Sequence, residues 1–188
     1  MSANLKRRYS LNEYFEIEKN TSYKNEYFYG EIFAMTGASR NHCHIVGGIY
    51  SQLYQQLRTT RCESFMSQMR TRIHNQLYRY PDVVVACEPR FELITGLQSL
   101  VNPILVVEVL SRSTATFDQD GKFQEYQQIE SLSYYLLVSQ NEVLATLFTR
   151  QQDNTWNSET FNSLDSSIEL PFINCTLAMS EIYFNVRF

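Results

Sequence analysis

Ile104-Leu105-Val106-Val107-Glu108-Val109-Leu110 is an apolar run broken by a single acid, and Tyr80-Pro81-Asp82-Val83-Val84-Val85-Ala86 repeats the arrangement upstream. Runs this short and this rich in β-branched residues read as strands buried on both faces. An ionised carboxylate in such an interior costs several kcal/mol, so each acid must sit at the sheet rim, pair with a cation or hold a metal ion. Alternation puts Ile104, Val106, Glu108 and Leu110 on one face of their strand, and Asp82, Val84 and Ala86 on one face of theirs. If the strands are neighbours, the two carboxylates converge.

A basic residue follows. The stretch from Arg112 through Gly121-Lys122-Phe123-Gln124-Glu125-Tyr126 is turn-rich and runs into a helix. Phe123, Tyr126 and Ile129 mark the packed side of that helix by their three-residue spacing, and Lys122 lies four residues before Tyr126. Lys122 can therefore reach back over the sheet; the plainer alternative is a solvated helix lysine.

In this order, Pro81-Asp82, Glu108-Val109-Leu110 and Lys122 resemble the PD-(D/E)XK nuclease superfamily. More closely, Tyr80 to Val85, Val106 to Thr114 and Asp118 to Phe123 resemble a bacterial family of proposed endonucleases, abundant in cyanobacteria and catalogued as a domain of unknown function. The resemblance runs from about Tyr9 to about Tyr183. It implies an α/β fold of restriction endonuclease type, a mixed central β-sheet flanked by helices. One departure stands out: Leu110 occupies the place where the superfamily usually has lysine, which implies Lys122 as its replacement from the following helix.

The resemblance also implies metal-assisted phosphodiester hydrolysis, with DNA as the expected substrate. Asp82 and Glu108 would bind Mg²⁺, with Mn²⁺ as a substitute, because hard cations favour carboxylate oxygen. The backbone carbonyl of Val109 is a further implied ligand, and Lys122 would orient water or stabilise developing charge. Two other readings remain open at this point. One is a non-catalytic nucleic-acid-binding or regulatory domain that keeps the fold; the other is a structural acid and lysine cluster with the carboxylates separately paired.

The remaining candidates lie upstream. Glu26, in the strand pair around Gly30, matches an acid of the similar family; it is either a third carboxylate of the site or an exposed strand residue. Asn41 to about Thr59 reads as a helix from Ile45, Ile49, Leu53 and Leu57, and Gly47-Gly48 within it points to close approach of another backbone. His42 and His44 near its start are a possible metal pair, His42 being the one that matches the family; the alternative is a polar cap. Residues 62 to 73 alternate as one strand. Gln68 stands where relatives carry an acid, and Arg70 and Arg72 either grip phosphate or form a solvated face.

A chain of 188 residues with 44% hydrophobic content and no linker-like stretch reads as one domain over residues 1 to 188. The net charge of −4 excludes a protein that coats nucleic acid by bulk charge. No run approaches the length of a membrane helix and Met1 to Arg8 has no apolar segment, so a cytoplasmic protein is expected. Cys43, Cys62, Cys87 and Cys175 have no CxxC spacing, which suggests buried thiols and neither zinc nor disulfides. Ser10 to Glu13 has capping-box spacing for a first helix. Cys87 to Asn102 reads as a long connection, Ser133 to Ser139 and Glu142 to Thr149 as strands, Trp156 to Phe161 as another, and Ser180 to Tyr183 as a short helix. Cutting both strands of a duplex with one site per chain favours a homodimer.

Overall fold

The computed structural model describes residues 7 to 35, 37 to 110 and 121 to 188. Helix α1 (Leu11–Asn20) starts at a full capping box, in which the Ser10 side chain accepts from Glu13 N and the Glu13 carboxylate accepts from Ser10 N. A hairpin follows, β1 (Asn25–Phe28) and β2 (Glu31–Ala34). It turns at Tyr29 and Gly30, whose φ angles of 45° and 91° are the paired left-handed values a two-residue turn needs. Helix α2 (Arg40–Leu57) begins at Ser39, whose hydroxyl accepts from His42 N. Its Gly48 lies where an added Cβ would come 2.5 Å from the Glu181 carbonyl, which accounts for one glycine of the pair; beside Gly47 there is open space.

Six strands then alternate in short steps: β3 (Cys62–Met66), β4 (Thr71–His74), β5 (Leu77–Arg79), β6 (Val83–Cys87), β7 (Phe91–Ile94) and β8 (Leu97–Leu100). Strand β9 (Leu105–Leu110) carries Glu108, and past residue 120 come α3 (Phe123–Tyr126), β10 (Tyr134–Ser139), β11 (Ala145–Arg150) and β12 (Trp156–Phe161). A last hairpin, β13 (Ser167–Leu170) and β14 (Cys175–Ala178), leads into α4 (Met179–Ile182).

The strands form two mixed six-stranded sheets. The central one has the order β12-β11-β10-β9-β6-β3, with β9 and β10 parallel and the other pairs antiparallel. The second has the order β2-β1-β5-β4-β8-β7. Every residue from Val83 to Ala86 and from Leu105 to Val109 is buried, as continuous apolar strands covered on both faces require. On one face Val83, Val85, Leu105 and Val107 pack with Ile45, Ile49 and Leu53 of α2 and with Leu177 and Ile182. On the other, Val84, Ala86 and Val106 pack with Tyr126, Ile129, Tyr135 and Leu137. Helix α1 covers the second sheet through Tyr14 and Phe15 against Tyr27 and Tyr78. Among the described residues no helix is long and apolar enough to cross a membrane.

The mixed α/β architecture matches the expectation, and four details correct it. Residues 62 to 73 are two strands in different sheets, broken at a turn through Gln68. The stretch from Cys87 to Asn102 is largely the β7-β8 hairpin, closed by Thr95 and Gly96 at φ 49° and 83°. Cys62 and Cys87 are cross-strand partners and form a disulfide, leaving Cys43 and Cys175 as free thiols. The β13-β14 hairpin was not expected from the sequence.

Candidate active site

The pairing of β6 with β9 sets Val83 opposite Val107 and Val84 opposite Val106. Continued by one residue, this register puts Asp82 opposite Glu108, so the two acids meet at the rim where β6 begins. Both are largely buried, Asp82 at 9% and Glu108 at 5% relative exposure. Each is held from two sides. Asp82 Oδ2 accepts from Val109 N at 2.7 Å, and its Oδ1 lies 3.0 Å from His42 Nε2. Glu108 Oε1 accepts from the Tyr126 hydroxyl at 2.9 Å, and its Oε2 lies 3.4 Å from Lys122 Nζ.

A second layer braces this rim. Arg79, at the end of β5, lies 2.5 Å from Glu26 Oε2 and grips both carboxylate oxygens of Glu125 at 2.9 Å through Nη2. Glu125 stands three residues after Lys122 on the same helical stretch, so Arg79 ties that stretch to the second sheet. Ser67 N donates to the Asp82 carbonyl at 3.0 Å and fixes its backbone.

Among the described residues, four carboxyl groups, Glu26, Asp82, Glu108 and Glu125, gather with the cations Arg79 and Lys122. Burial pushes the Glu108 carboxyl up to about 8; Lys122 opposes this, and the charges of Asp82 and Glu26 add to it. Burial also raises Glu125 against the pull of Arg79, and raises Tyr126 well above its usual range, so Tyr126 stays a donor. Burial pushes the His42 imidazole down. Its Nε2 faces Asp82, and its Nδ1 is buried with no hydrogen-bond partner among the described residues.

Among the described residues, no three His, Cys, Asp or Glu side chains make a ready metal cluster. The donors that do meet among them are two carboxylates, the oxygen ligands a hard divalent cation favours. Mg²⁺ fits such a set, since it takes one or two protein carboxylates and keeps waters for its remaining positions.

The structure brings together Asp82, Glu108 and Lys122, with His42 on Asp82 and Glu26 acting on Glu108 through its charge. Glu26 is not exposed; its nearest partner is Arg79. Val109 contributes its N–H to Asp82, the opposite pole from the carbonyl expected. Gln68 is exposed in the β3-β4 turn. Arg70 is corrected outright: it is buried, donates to Ser99 Oγ and Gln98 O, and lies 3.7 Å from Glu18. Such a side chain cannot grip phosphate. Arg72 pairs with Glu92 at 3.0 Å. The family-like residues Ser111, Arg112, Ser113, Thr114, Asp118, Gln119 and Asp120 lie outside the described residues. Sequence reasoning missed Arg79 and Glu125 and took Tyr126 only as packing; the available signal was the position of Arg79, three residues before Asp82.

Residues 11 to 180 match the model of the Uma2 family, described as "Putative restriction endonuclease". Two curated relatives are the uncharacterized proteins slr1290 and sll1609 of Synechocystis sp.. The first is 37% identical over 95% of this chain and 93% of its own length. The second is 34% identical over 86% of this chain and 92% of its own. Among solved structures, the chain is similar to the crystal structure of "a putative nuclease belonging to DUF820" from Anabaena variabilis, with a TM-score of 0.74. That match has 16% identity and covers 93% of this chain and 97% of the other, so what it shows is the shared fold.

Proposed function

The chain belongs to the Uma2 family, and on that premise we propose that it is a metal-dependent endonuclease that hydrolyses phosphodiester bonds in DNA. The observation that carries the reading is the meeting of Asp82 and Glu108 across one strand pair, with a lysine on the same carboxylate and the Glu108 carboxyl raised to about 8.

Asp82 and Glu108 would hold Mg²⁺, with Mn²⁺ as a substitute. The bound ion supplies Lewis-acid polarisation of the phosphate and a more acidic attacking water. The chain's own residues do the rest. Tyr126 fixes one oxygen of Glu108, and Val109 N–H and His42 fix both oxygens of Asp82, so that neither carboxylate must reorganise. Lys122, 3.4 Å from Glu108, places a positive charge beside the same point, where it would orient the nucleophile or stabilise charge developing on phosphate. A second chain would supply the second cut of a duplex, which makes a homodimer the expected working form.

The test is cleavage of supercoiled plasmid, linear duplex and single-stranded DNA with Mg²⁺, Mn²⁺ or EDTA. Cleavage that needs the ion and disappears in Asp82→Ala and Glu108→Ala supports the reading. Absence of cleavage on every substrate, or cleavage unchanged in both variants, rejects it.

A further inference from the structure

We propose that Arg79 is a positioning residue for Lys122, acting through Glu125. The inference rests on the function proposed above and assigns one part of its machinery. Arg79 is the last residue of β5, and the β1-β5 register, continued by one residue past Tyr27 and Tyr78, sets it opposite Glu26. The residue is buried, with its Nη1 on Glu26 and its Nε and Nη2 on Glu125 at 3.0 Å and 2.9 Å. A planar fork that holds a carboxylate at two points fixes its direction as well as its distance. Lys122 has helical backbone angles at the start of α3, so Glu125 is its neighbour on the helix surface, three residues on. Docking Glu125 therefore sets the side from which Lys122 Nζ comes to 3.4 Å from Glu108 Oε2.

Other described contacts of this stretch do different work. The Phe123 ring lies 5.2 Å from Tyr135 and 4.3 Å from Phe148, apolar contacts that set depth and little direction. Arg150 Nη2 donates to the carbonyls of Gln127 and Ile129, past the far end of α3. Tyr126 is fully buried against Tyr135 and reaches Glu108 from within the core. The fork on Glu125 is the directional contact next to the lysine, and it comes from the segment that also delivers Asp82, three residues after Arg79. A misplacement of about 1 Å in a group that acts on the reacting atoms can cost about 100-fold in rate.

Plasmid cleavage with Mg²⁺ is followed with protein in excess over DNA, so that slow single turnovers register, for the wild type, Arg79→Lys, Lys122→Met and the double variant. Mn²⁺ uptake without DNA is measured in parallel by the electron paramagnetic resonance signal of the free ion. Arg79→Lys keeps the charge and loses the fork, and its rate at saturating protein should fall by about 10- to 100-fold. Mn²⁺ uptake should stay within a few-fold of the wild type, since Asp82 and Glu108 are untouched. In the Lys122→Met background the same change should cost little more, because the group it acts through is gone. A merely structural arginine would take the same factor from both backgrounds. An equal loss in both therefore overturns the inference. So does an Arg79→Lys or Lys122→Met variant that cleaves at the wild-type rate, or a fall in Arg79→Lys matched by lost Mn²⁺ uptake. If Arg79→Lys fails to fold, Glu125→Gln, which weakens the grip from the other side, takes its place in the same comparison. No cleavage by the wild type, or cleavage unchanged in Asp82→Ala and Glu108→Ala, rejects the endonuclease reading and this inference with it; the other overturning results reject the inference alone.

Discussion

The chain contains two buried glutamates with the same company, and they have opposite characters. Glu18, on α1, accepts from Asn25 N at 2.7 Å, from Asn25 Nδ2 at 2.8 Å and from the Tyr80 hydroxyl at 2.6 Å, with Arg70 at 3.7 Å. Glu108 also has a tyrosine and a cation, Tyr126 and Lys122. Both are deep in packed protein. The difference is in the surroundings: Glu18 is met by donors on both oxygens and by an arginine that stacks on Phe15 at 4.5 Å, whereas Glu108 shares its rim with Asp82 and feels Glu26. Burial plus a full set of donors makes a structural acid; burial plus a rival acid makes a site that wants a cation.

The largest expected contrast is in activity. Asp82→Asn or Glu108→Gln should reduce plasmid cleavage by about 10³-fold or more, the several kcal/mol that a positioned ion contributes. Glu18→Gln should leave the rate per folded molecule unchanged. Equal losses in all three would erase the distinction.

The second contrast is in stability. Removing one partner of the Glu18 cluster, as in Arg70→Met, leaves a buried charge without its cation and should cost about 3–5 kcal/mol. For a chain of this size that is a fall of about 6–20 °C in Tm. In the metal-free protein Glu108→Gln should do the reverse and raise Tm near pH 8, because it removes an unfavourable charge. Urea or thermal melts of the two variants side by side test the opposed signs.

The same group sets a pH dependence. The Glu108 carboxyl is raised from an ordinary 4.5 to about 8 in the folded chain. Between those values the folded state binds more protons than the unfolded, so metal-free stability should fall as pH rises from about 4.5 to about 8 and level off above. Glu108→Gln should flatten that fall. Mn²⁺ uptake should tighten over the same interval, since binding displaces the proton.

The smallest contrast comes from the two tyrosines. Tyr80→Phe removes one of several donors from Glu18 and should cost about 1 kcal/mol of stability with little effect on cleavage. Tyr126→Phe removes an orienting bond from Glu108 and should slow cleavage by about 10-fold, the equivalent of one lost hydrogen bond, with a smaller change in Tm. Rates and melts on both variants suffice.

What could be read in advance follows the range of the interactions. Asp82 and Glu108 were visible because an acid in a valine run violates burial locally, and strand alternation then fixes its face. The capping box at Ser10, the Gly30 turn and the approach at Gly48 were visible for the same local reason. Arg70 was misread because alternation over residues 62 to 73 looks the same whether the strand faces water or a second sheet; only the partner, 52 residues upstream at Glu18, decides. The Cys62–Cys87 pairing and the Arg79–Glu125 grip each depend on which strands and helices become neighbours, and no spacing encodes that. The hairpin β7-β8 was lost among Pro89, Arg90 and Gly96, residues that mark turns but do not say how many strands they separate.

The grip of Arg79 on Glu125 frees the polypeptide in an unobvious way. Because a strand of the other sheet holds the helical stretch next to Lys122, the ammonium that meets Glu108 need not come from the strand that carries it. A basic group can then arrive from fourteen positions downstream as well as from a neighbouring strand position.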